Sequence, residues 1–401
     1  MEVLQDTYKD TKIGRIPKDW EVKTLEDVFI FNNGKGHEQF ISENGDYIVV
    51  NSKFISQEGR VKKFSNKQMS PLLVKDITMV MSDIPNGRAL AKCFLIEENN
   101  KYSLNQRICG LRLKNEANDD VRFFFYNLNR NKGFLKYNDG VSQTNLRKSE
   151  VLGCLLAYPP SKEQQKIADI LSTVDEQIST TDKIIEKSKE LKKGLMQKLF
   201  SEGLGHTEFK DTKIGRIPKD WKLVKIGEVT KIKVGRDLKE DSFSEIKTET
   251  HKYPVFSNTV SNNGFYGGYY NFAEHIGRSL TIVGRGVGIG TSFSRDGGYG
   301  AIGRLLVLFP NDDVNEIFMS NYVNHKMTIH YEDGGIPQLT GDKIYKYLVV
   351  KPNLNEQIKI AAILSEADAK IEKEQEQKAQ LEQLKKGLMQ QLLTGKKRVK
   401  V

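Results

Sequence analysis

Across 401 residues the sequence has only three cysteines and six histidines. Cys93, Cys109 and Cys154 are odd in number and lack Cys-x-x-Cys spacing, so no disulfide framework and no zinc site is expected. They read as reduced, semi-buried cytosolic thiols. The histidines (37, 206, 251, 275, 325, 330) show no ligand spacing; His325 and His330 lie five apart without partners. No apolar run approaches the roughly 18 residues that span a bilayer, and mean hydropathy is −0.51, which argues against an integral membrane protein. Residues 1–10 are polar and acidic, unlike a signal or transit peptide, so a cytoplasmic location is expected.

Catalytic signatures are also missing. The GRGVGIG run from Gly284 has no Lys-Ser/Thr after it and is not a phosphate loop. GYGAIG from Gly298 matches GxGxxG but runs into a strand, so the dinucleotide reading fails its context. Tyr158-Pro159-Pro160-Ser161 lacks the amide or acid that would hold an amine for methylation. The acid pairs Asp119-Asp120 and Asp312-Asp313 have no catalytic lysine following. No enzymatic activity and no metal is expected of this chain.

What is present is basic charge and repetition. Lys and Arg number 62 against 52 Asp and Glu, a formal charge of +10. That balance suits an acidic partner such as nucleic acid or an anionic surface. At roughly 100–200 residues per domain the length allows about two domains. YKDTKIGRIPKDW begins at Tyr8, and FKDTKIGRIPKDW begins at Phe209, an offset of 201. LKKGLMQ begins at Leu191 and again at Leu384, an offset of 193; the same offset aligns Glu163-Gln164 with Glu356-Gln357. Between these anchors the halves diverge, apart from a faint match of Arg107-Ile108 with Arg304-Leu305. Near-identity of the frame beside divergence of the inserts suits two different reading heads held in related frames.

The repeated frame includes two helices. Ser161 and Gln164 fit a capping box after Pro159-Pro160, and Asn353 with Glu356 offers an equivalent cap. A spacing of alternating fours and threes then runs through Ile167, Leu171, Val174, Ile178, Thr181, Ile185, Ser188, Lys192, Leu195 and Leu199. The second copy gives Ile360, Leu364, Ala367, Ile371, Glu374, Lys378, Leu381, Lys385, Leu388 and Leu392. This is a heptad seam with a polar middle. Each helix is on the order of 58 Å long. Helices this long and this polar need a partner, so an antiparallel coiled coil between the two copies is expected, with room for helices from other proteins. Gly194 and Gly387, inside both helices, suggest close backbone approach or a bend.

Both inserts read as mixed domains of about 130 residues with a curved sheet. Strands are expected over 47–50, 77–81, 93–96, 253–256, 280–283 and 305–309, and helices over 121–131 and 314–326. Turns are expected at Asn86-Gly87, Gly267-Gly268, Gly297-Gly298 and Gly334-Gly335. Polar and basic side chains gather in the loops: Lys53, Arg60, Lys62, Lys63, Arg88, Asn105, Gln106, Arg107, Gln143, Asn145 and Arg147. The second insert offers Arg236, Asn258, Asn262, Asn263, Arg285, Arg304 and Gln338. Arg reads guanine through two hydrogen bonds and Asn or Gln reads adenine, while Lys neutralises phosphates.

With its repeated TKIGRIPKDW, two divergent inserts and two helices ending LKKGLMQ, the sequence resembles the specificity subunit of type I restriction-modification systems. The closing LTGKKRV is also typical. The resemblance covers essentially the whole chain. It implies an α+β protein with two target-recognition domains, at 1–158 (entry motif 8–20) and 204–350 (entry motif 209–221). The helices would occupy 159–203 and 351–401, the latter with a basic tail, giving a pseudo-twofold repeat with an antiparallel coiled coil. Each domain would read one half of a bipartite, asymmetric double-stranded DNA site. The helices would set the spacer and dock two modification subunits, which carry S-adenosylmethionine; this chain needs no cofactor. Restriction subunits would join that core. Two other classes stay open, a stand-alone bipartite DNA-binding regulator and a coiled-coil scaffold whose end domains bind protein.

Overall fold

The entry motif folds as a tight hairpin because threonine and glycine flank a two-residue turn. In the computed structural model, which describes residues 7–83, 88–137, 144–327 and 338–401, Tyr8–Thr11 pairs antiparallel with Gly14–Pro17. The Thr11 hydroxyl donates to the Gly14 carbonyl (2.6 Å), and Gly14 takes a φ of 104° that a Cβ would resist. The second motif repeats this between Phe209–Thr212 and Gly215–Pro218, with the Thr212 hydroxyl on the Gly215 carbonyl at 2.6 Å. Next in the chain, Glu21–Thr24 pairs with Leu155–Tyr158, and Lys222–Lys225 pairs with Leu348–Lys351. The two ends of each insert are thereby zipped together, so the sequence between them varies without moving the frame.

Two compact units result. One comprises Met1–Asp182 with Gln377–Val401, the other Lys183–Glu376. The first unit holds a four-stranded antiparallel sheet in the order Phe29–Asn33, Ile108–Leu113, Ile77–Val80, Cys93–Leu95. A second sheet orders Tyr102–Leu104, Tyr47–Val50 and Phe64–Ser65. Ile48, Val50, Phe54, Leu72, Val80, Leu104 and Ile108 are buried between them. In the second unit the four-stranded order is Thr230–Val234, Leu306–Pro310, Ser279–Ile282, Ser292–Arg295, the same topology built from unrelated residues. Its companion sheet has five strands around Tyr253–Phe256, which runs parallel to Gly298–Ala301. The expected strands and the helices Val121–Leu128 and Glu316–Lys326 are present. GYGAIG contributes the strand Gly298–Ala301. The three cysteines are free and buried, and burial pushes the Cys109 thiol up to about 12.

The first long helix runs Ser161–Glu202 and the second Leu354–Leu392. Every seam position named from the heptad pattern is buried or half-buried. Ile167 and Leu171 join the first unit's core with Leu392, and Leu388 packs on its edge; Leu199, Ile360 and Leu364 join the second unit's core, with Leu195 at its edge. The polar middle is held by charge. In the first unit Lys385 pairs with Asp175 at 2.5 Å and Lys378 with Asp182 at 2.6 Å. Seven residues up one helix match seven down the other, so the pairing is antiparallel. In the second unit Lys192 pairs with Asp368 at 2.5 Å. Half-exposed pairs of this kind, still reached by water, contribute on the order of 1 kcal/mol or less each, whereas a buried Leu or Ile contributes roughly 1.5–3 kcal/mol. The apolar ends therefore hold the helices, and the middle pairs fix their register.

Three expectations change. Ser161 is the first residue inside its helix, not its cap: Gln164 N donates to the Pro160 carbonyl at 3.0 Å, and the Glu163 and Gln164 side chains point to other segments. Asn353 does cap the second helix, accepting from Glu356 N at 2.9 Å. Gly194 and Gly387 mark no close approach, since a Cβ at either would meet nothing within 4 Å. Gly267-Gly268 is no turn but lies within the strand Phe265–Tyr270, where a Cβ on Gly268 would sit 2.2 Å from the Phe243 ring. Between Arg147 and the first long helix stand a short helix, Lys148–Leu152, and the strand Leu155–Tyr158. The Asn86-Gly87 and Gly334-Gly335 turns, Gln143 and His330 lie outside the described residues.

Candidate nucleic-acid interface

The frame that carries the loops is fastened by the repeated Glu-Gln. Trp20 Nε1 donates to Glu163 at 2.9 Å, and Trp221 Nε1 donates to Glu356 at 3.0 Å. Gln164 Nε2 donates to the Pro159 carbonyl while its oxygen accepts from Asp120 N; Gln357 does the same with Pro352 and Asn315. One dipeptide thus ties the start of a long helix to the entry motif and to the insert's own helix. The second partner of each glutamate differs. Glu163 receives Arg398 Nε at 2.7 Å, and Arg398 also forks onto Asp19 at 2.9 and 2.7 Å. Glu356 receives Leu204 N and His206 Nε2, each at 2.9 Å.

On this frame each unit gathers loops at one end of its four-stranded sheet. In the second unit a chain of hydrogen bonds joins five of the named residues. Asn258 accepts from Gly284 N at 2.8 Å and donates to the Gly303 carbonyl. Gly303 N donates to the Arg236 carbonyl at 2.8 Å, and Arg304 N to Gly235 at 3.0 Å. Arg285 bridges Gln338, with Nη2 donating to Oε1 at 3.2 Å. Arg236, Arg285 and Arg304 are exposed, so these five residues present three positive charges and no negative one. Asn262 and Asn263 stand on a neighbouring left-handed turn, with φ of 49° and 53°.

In the first unit the corresponding segment, residues 81–83, follows Ile77–Val80. Met81 N donates to the Arg107 carbonyl at 3.0 Å, Leu146 N to the Met81 carbonyl at 2.8 Å, and Asn145 pairs with Ser82. Asn105, Gln106, Arg107, Asn145 and Arg147 are thus brought beside that segment. Arg88 lies on its return, its carbonyl accepting from Arg130 at 3.1 Å. Lys53 neighbours it through Ser52, whose hydroxyl reaches the Ser82 carbonyl at 3.4 Å. Gln106 is engaged by Glu38 at 3.2 Å. Arg60 stands apart from this group: it pairs with Glu58 at 3.4 Å, and its charge is felt by Lys378 on the second long helix. Lys62 and Lys63 are exposed beside Phe64–Ser65, the edge strand of the three-stranded sheet.

Two residues escaped the sequence reading. Arg295 lies 3.6 Å over the Phe256 ring, and its Nε donates to Thr281 at 3.1 Å. Burial lowers its guanidinium to about 10, and its bonds to Thr281 and to the Asn263 carbonyl make it a brace within the unit. Val287, at the tip of the GRGVGIG hairpin, is 88 % exposed. Within that run the sequence pattern points to Arg285 as a base reader and gives no sign of Val287. Among the described residues no group of three His, Cys, Asp or Glu side chains is placed to hold a metal, and no helix is long and apolar enough to cross a membrane.

The chain matches the family model described as type I restriction modification DNA specificity domain twice, over residues 17–190 and 218–383. It is 29 % identical over 419 residues to the type I restriction enzyme MjaVIII specificity subunit of Methanocaldococcus jannaschii, covering 99 % of this chain and 97 % of that one. The putative MjaX specificity subunit of the same organism is also 29 % identical, over 99 % of this chain and 98 % of the other. In fold it resembles the S subunit crystal structure from M. genitalium (TM-score 0.61, 18 % identity, 93 % and 96 % covered). It also resembles a chain from a structural study of complex assembly and conformational transition of the type I R-M system (TM-score 0.58, 15 % identity, 95 % and 99 % covered). With both inserts and most of each long helix inside the matched segments, the chain belongs to the type I restriction-modification DNA specificity family.

Proposed function

We propose that this specificity subunit, itself not an enzyme, reads a bipartite, asymmetric duplex site, one half with each unit. The observation that carries the reading is that one sheet topology gathers two different sets of side chains around the segment leaving the equivalent strand, Ile77–Val80 in one unit and Ser279–Ile282 in the other. Arg88, Arg107 and Asn145 stand at one; Arg285, Gln338 and Asn258 stand at the other. Arginine forks onto guanine and amide side chains onto adenine, so different sets select different half-sites. The lysines on the flanking sheet edges supply phosphate contacts, which weaken with salt.

The long helices set the spacer and dock two modification subunits in this reading, with S-adenosylmethionine held by those subunits and restriction subunits joining the same core. The repeat supports the docking. Leu191 and Leu384, equivalent leucines of LKKGLMQ, are 63 % and 50 % exposed. Gly194 and Gly387 face open space. Identical leucines left at least half exposed in both copies suit two identical external partners.

Methylome sequencing of cells carrying this chain and its modification subunit tests the reading. An asymmetric motif with a fixed unread gap is expected, and a single palindrome refutes it. Gel shifts with and without the modification subunit separate a specificity subunit, which binds strongly only in the complex, from a stand-alone regulator, which binds alone.

A further inference from the structure

We infer that Val287 reads a thymine methyl group in the half-site recognised by the second unit. The inference rests on the DNA-reading function proposed above and deepens it by one residue and one base chemistry. Among the described residues Val287 is the most exposed of the large apolar ones, at 88 %. Its exposure is built, not an accident of a loose loop. Gly290 N donates to the Val283 carbonyl at 2.8 Å, and Thr291 N to the Gly288 carbonyl at 2.9 Å, closing the hairpin on itself. Leu339 N donates to the Gly284 carbonyl at 2.9 Å, and Asn258 accepts from Gly284 N, anchoring the hairpin's base. Gly286, Gly288 and Gly290 take φ of 78°, 86° and 90°, conformations that other residues rarely adopt. Gly288 also lies against Val260, where a Cβ would come within 2.3 Å of the Val260 side chain. The backbone is therefore committed to holding one apolar side chain outward.

What surrounds the tip names the ligand surface. Arg285, two residues away, is exposed and coupled to Gln338, and Arg304 and Arg236 belong to the same bonded set. An apolar tip among arginines does not suit an apolar protein pocket; it suits a polyanion whose groove carries an apolar group. Duplex DNA has one such group on its major-groove edge, the C5 methyl of thymine, and side chains with a short methyl-bearing end read it. Wedges that unstack bases are the longer Phe, Leu, Ile, Met and Pro. Valine is too short to wedge and has the reach of a methyl reader.

The test uses the chain assembled with its modification subunits and a duplex bearing the motif recovered from the methylome. Each thymine of the second half-site is replaced in turn by deoxyuridine, which removes only the methyl. One position should weaken binding about four-fold, the worth of one buried methyl-sized group. Val287→Ala, whose methyl ends one bond short of the valine's on the same fixed backbone, should weaken the thymine duplex by a similar factor and lose the response to deoxyuridine at that position. Val287→Thr, which keeps a methyl, should retain it. A deoxyuridine response equal in wild type and Val287→Ala, no responding thymine, or a half-site without an A·T pair overturns the inference while leaving the DNA-reading function standing. If the wild-type complex shows no sequence-selective, salt-dependent binding at all, the function itself fails and the inference with it. Thermal melting of Val287→Ala should match wild type, because the side chain contacts little of its own protein.

Discussion

Replacing Arg398 with alanine isolates the link between the C-terminal tail and the first entry motif. Glu163 is 1 % exposed and receives three hydrogen bonds, one from Trp20 and two from Arg398. Arg398→Ala leaves that carboxylate buried with the indole alone, and frees Asp19. Breaking a buried pair by removing one partner costs roughly 3–5 kcal/mol. The Arg398 side chain is 40 % exposed, and water reaching the vacated space compensates in part, so about 2–3 kcal/mol is expected. For a folding unit of about 200 residues each kcal/mol shifts the midpoint roughly 2–4 °C, so calorimetry should show the first unit's transition falling about 5–10 °C. His206→Ala is the internal control. Glu356 keeps Leu204 N and Trp221, so a loss near 1 kcal/mol is expected. The pH dependence has a definite sign. The Arg398 guanidinium holds the Asp19 carboxyl below its ordinary value, so this contribution is present above the unfolded value near pH 4 and is lost as pH falls through the folded value. The gap between wild type and Arg398→Ala should be widest at neutral pH and narrow below about pH 4. A first-unit midpoint within about 2 °C of wild type at neutral pH refutes the clasp.

Removing one helical turn, about 5.4 Å, from both long helices should shorten the unread gap in the methylation motif by one or two base pairs; an unchanged gap removes the helices as the ruler. Arg88→Ala and Arg285→Ala should each relax one half-site, by roughly 1–3 kcal/mol at one base pair. Equal relaxation of both halves in either variant would make that arginine a phosphate anchor. Leu191→Glu should lower the number of bound modification subunits from two to one, and Leu191→Glu with Leu384→Glu to none, read by light scattering of the reconstituted complex; undiminished stoichiometry in the double variant moves docking elsewhere.

The frame was legible because it is written twice. Repetition located the hairpins, and the heptad pattern located seam residues that are all buried or half-buried. The shared sheet order of the two inserts was not legible, since Ile77–Val80 and Ser279–Ile282 occupy one topological place with only apolar character in common. The Trp20–Glu163 bond spans 143 positions and the Trp221–Glu356 bond 135; its signal was present, in that both copies carry a tryptophan in the entry motif and a Glu-Gln at the start of the long helix. The Ser161 box failed because the helix already begins at Ser161 and the Gln164 amide that would have closed the box is committed to Asp120 and Pro159. Gly267-Gly268 mimicked a turn because a packed aromatic ring and a turn both demand a missing Cβ. Single-chain pattern also understated Val287, since an apolar letter in a glycine run carries no sign of being held outward.

The division of the chain between the units has a consequence for synthesis. The second unit is one continuous stretch, Lys183–Glu376, while the first is completed only by Gln377–Val401. Domains ordinarily fold as the ribosome releases them, N-terminal first. Here the first domain begun is the last one finished: Leu392 and Arg398, which enter its core and its buried ion pair, leave the ribosome after the second unit's residues are complete. Translation order and folding order are therefore inverted, and a ribosome that stalls in the last helix leaves a finished second reader beside an open first one.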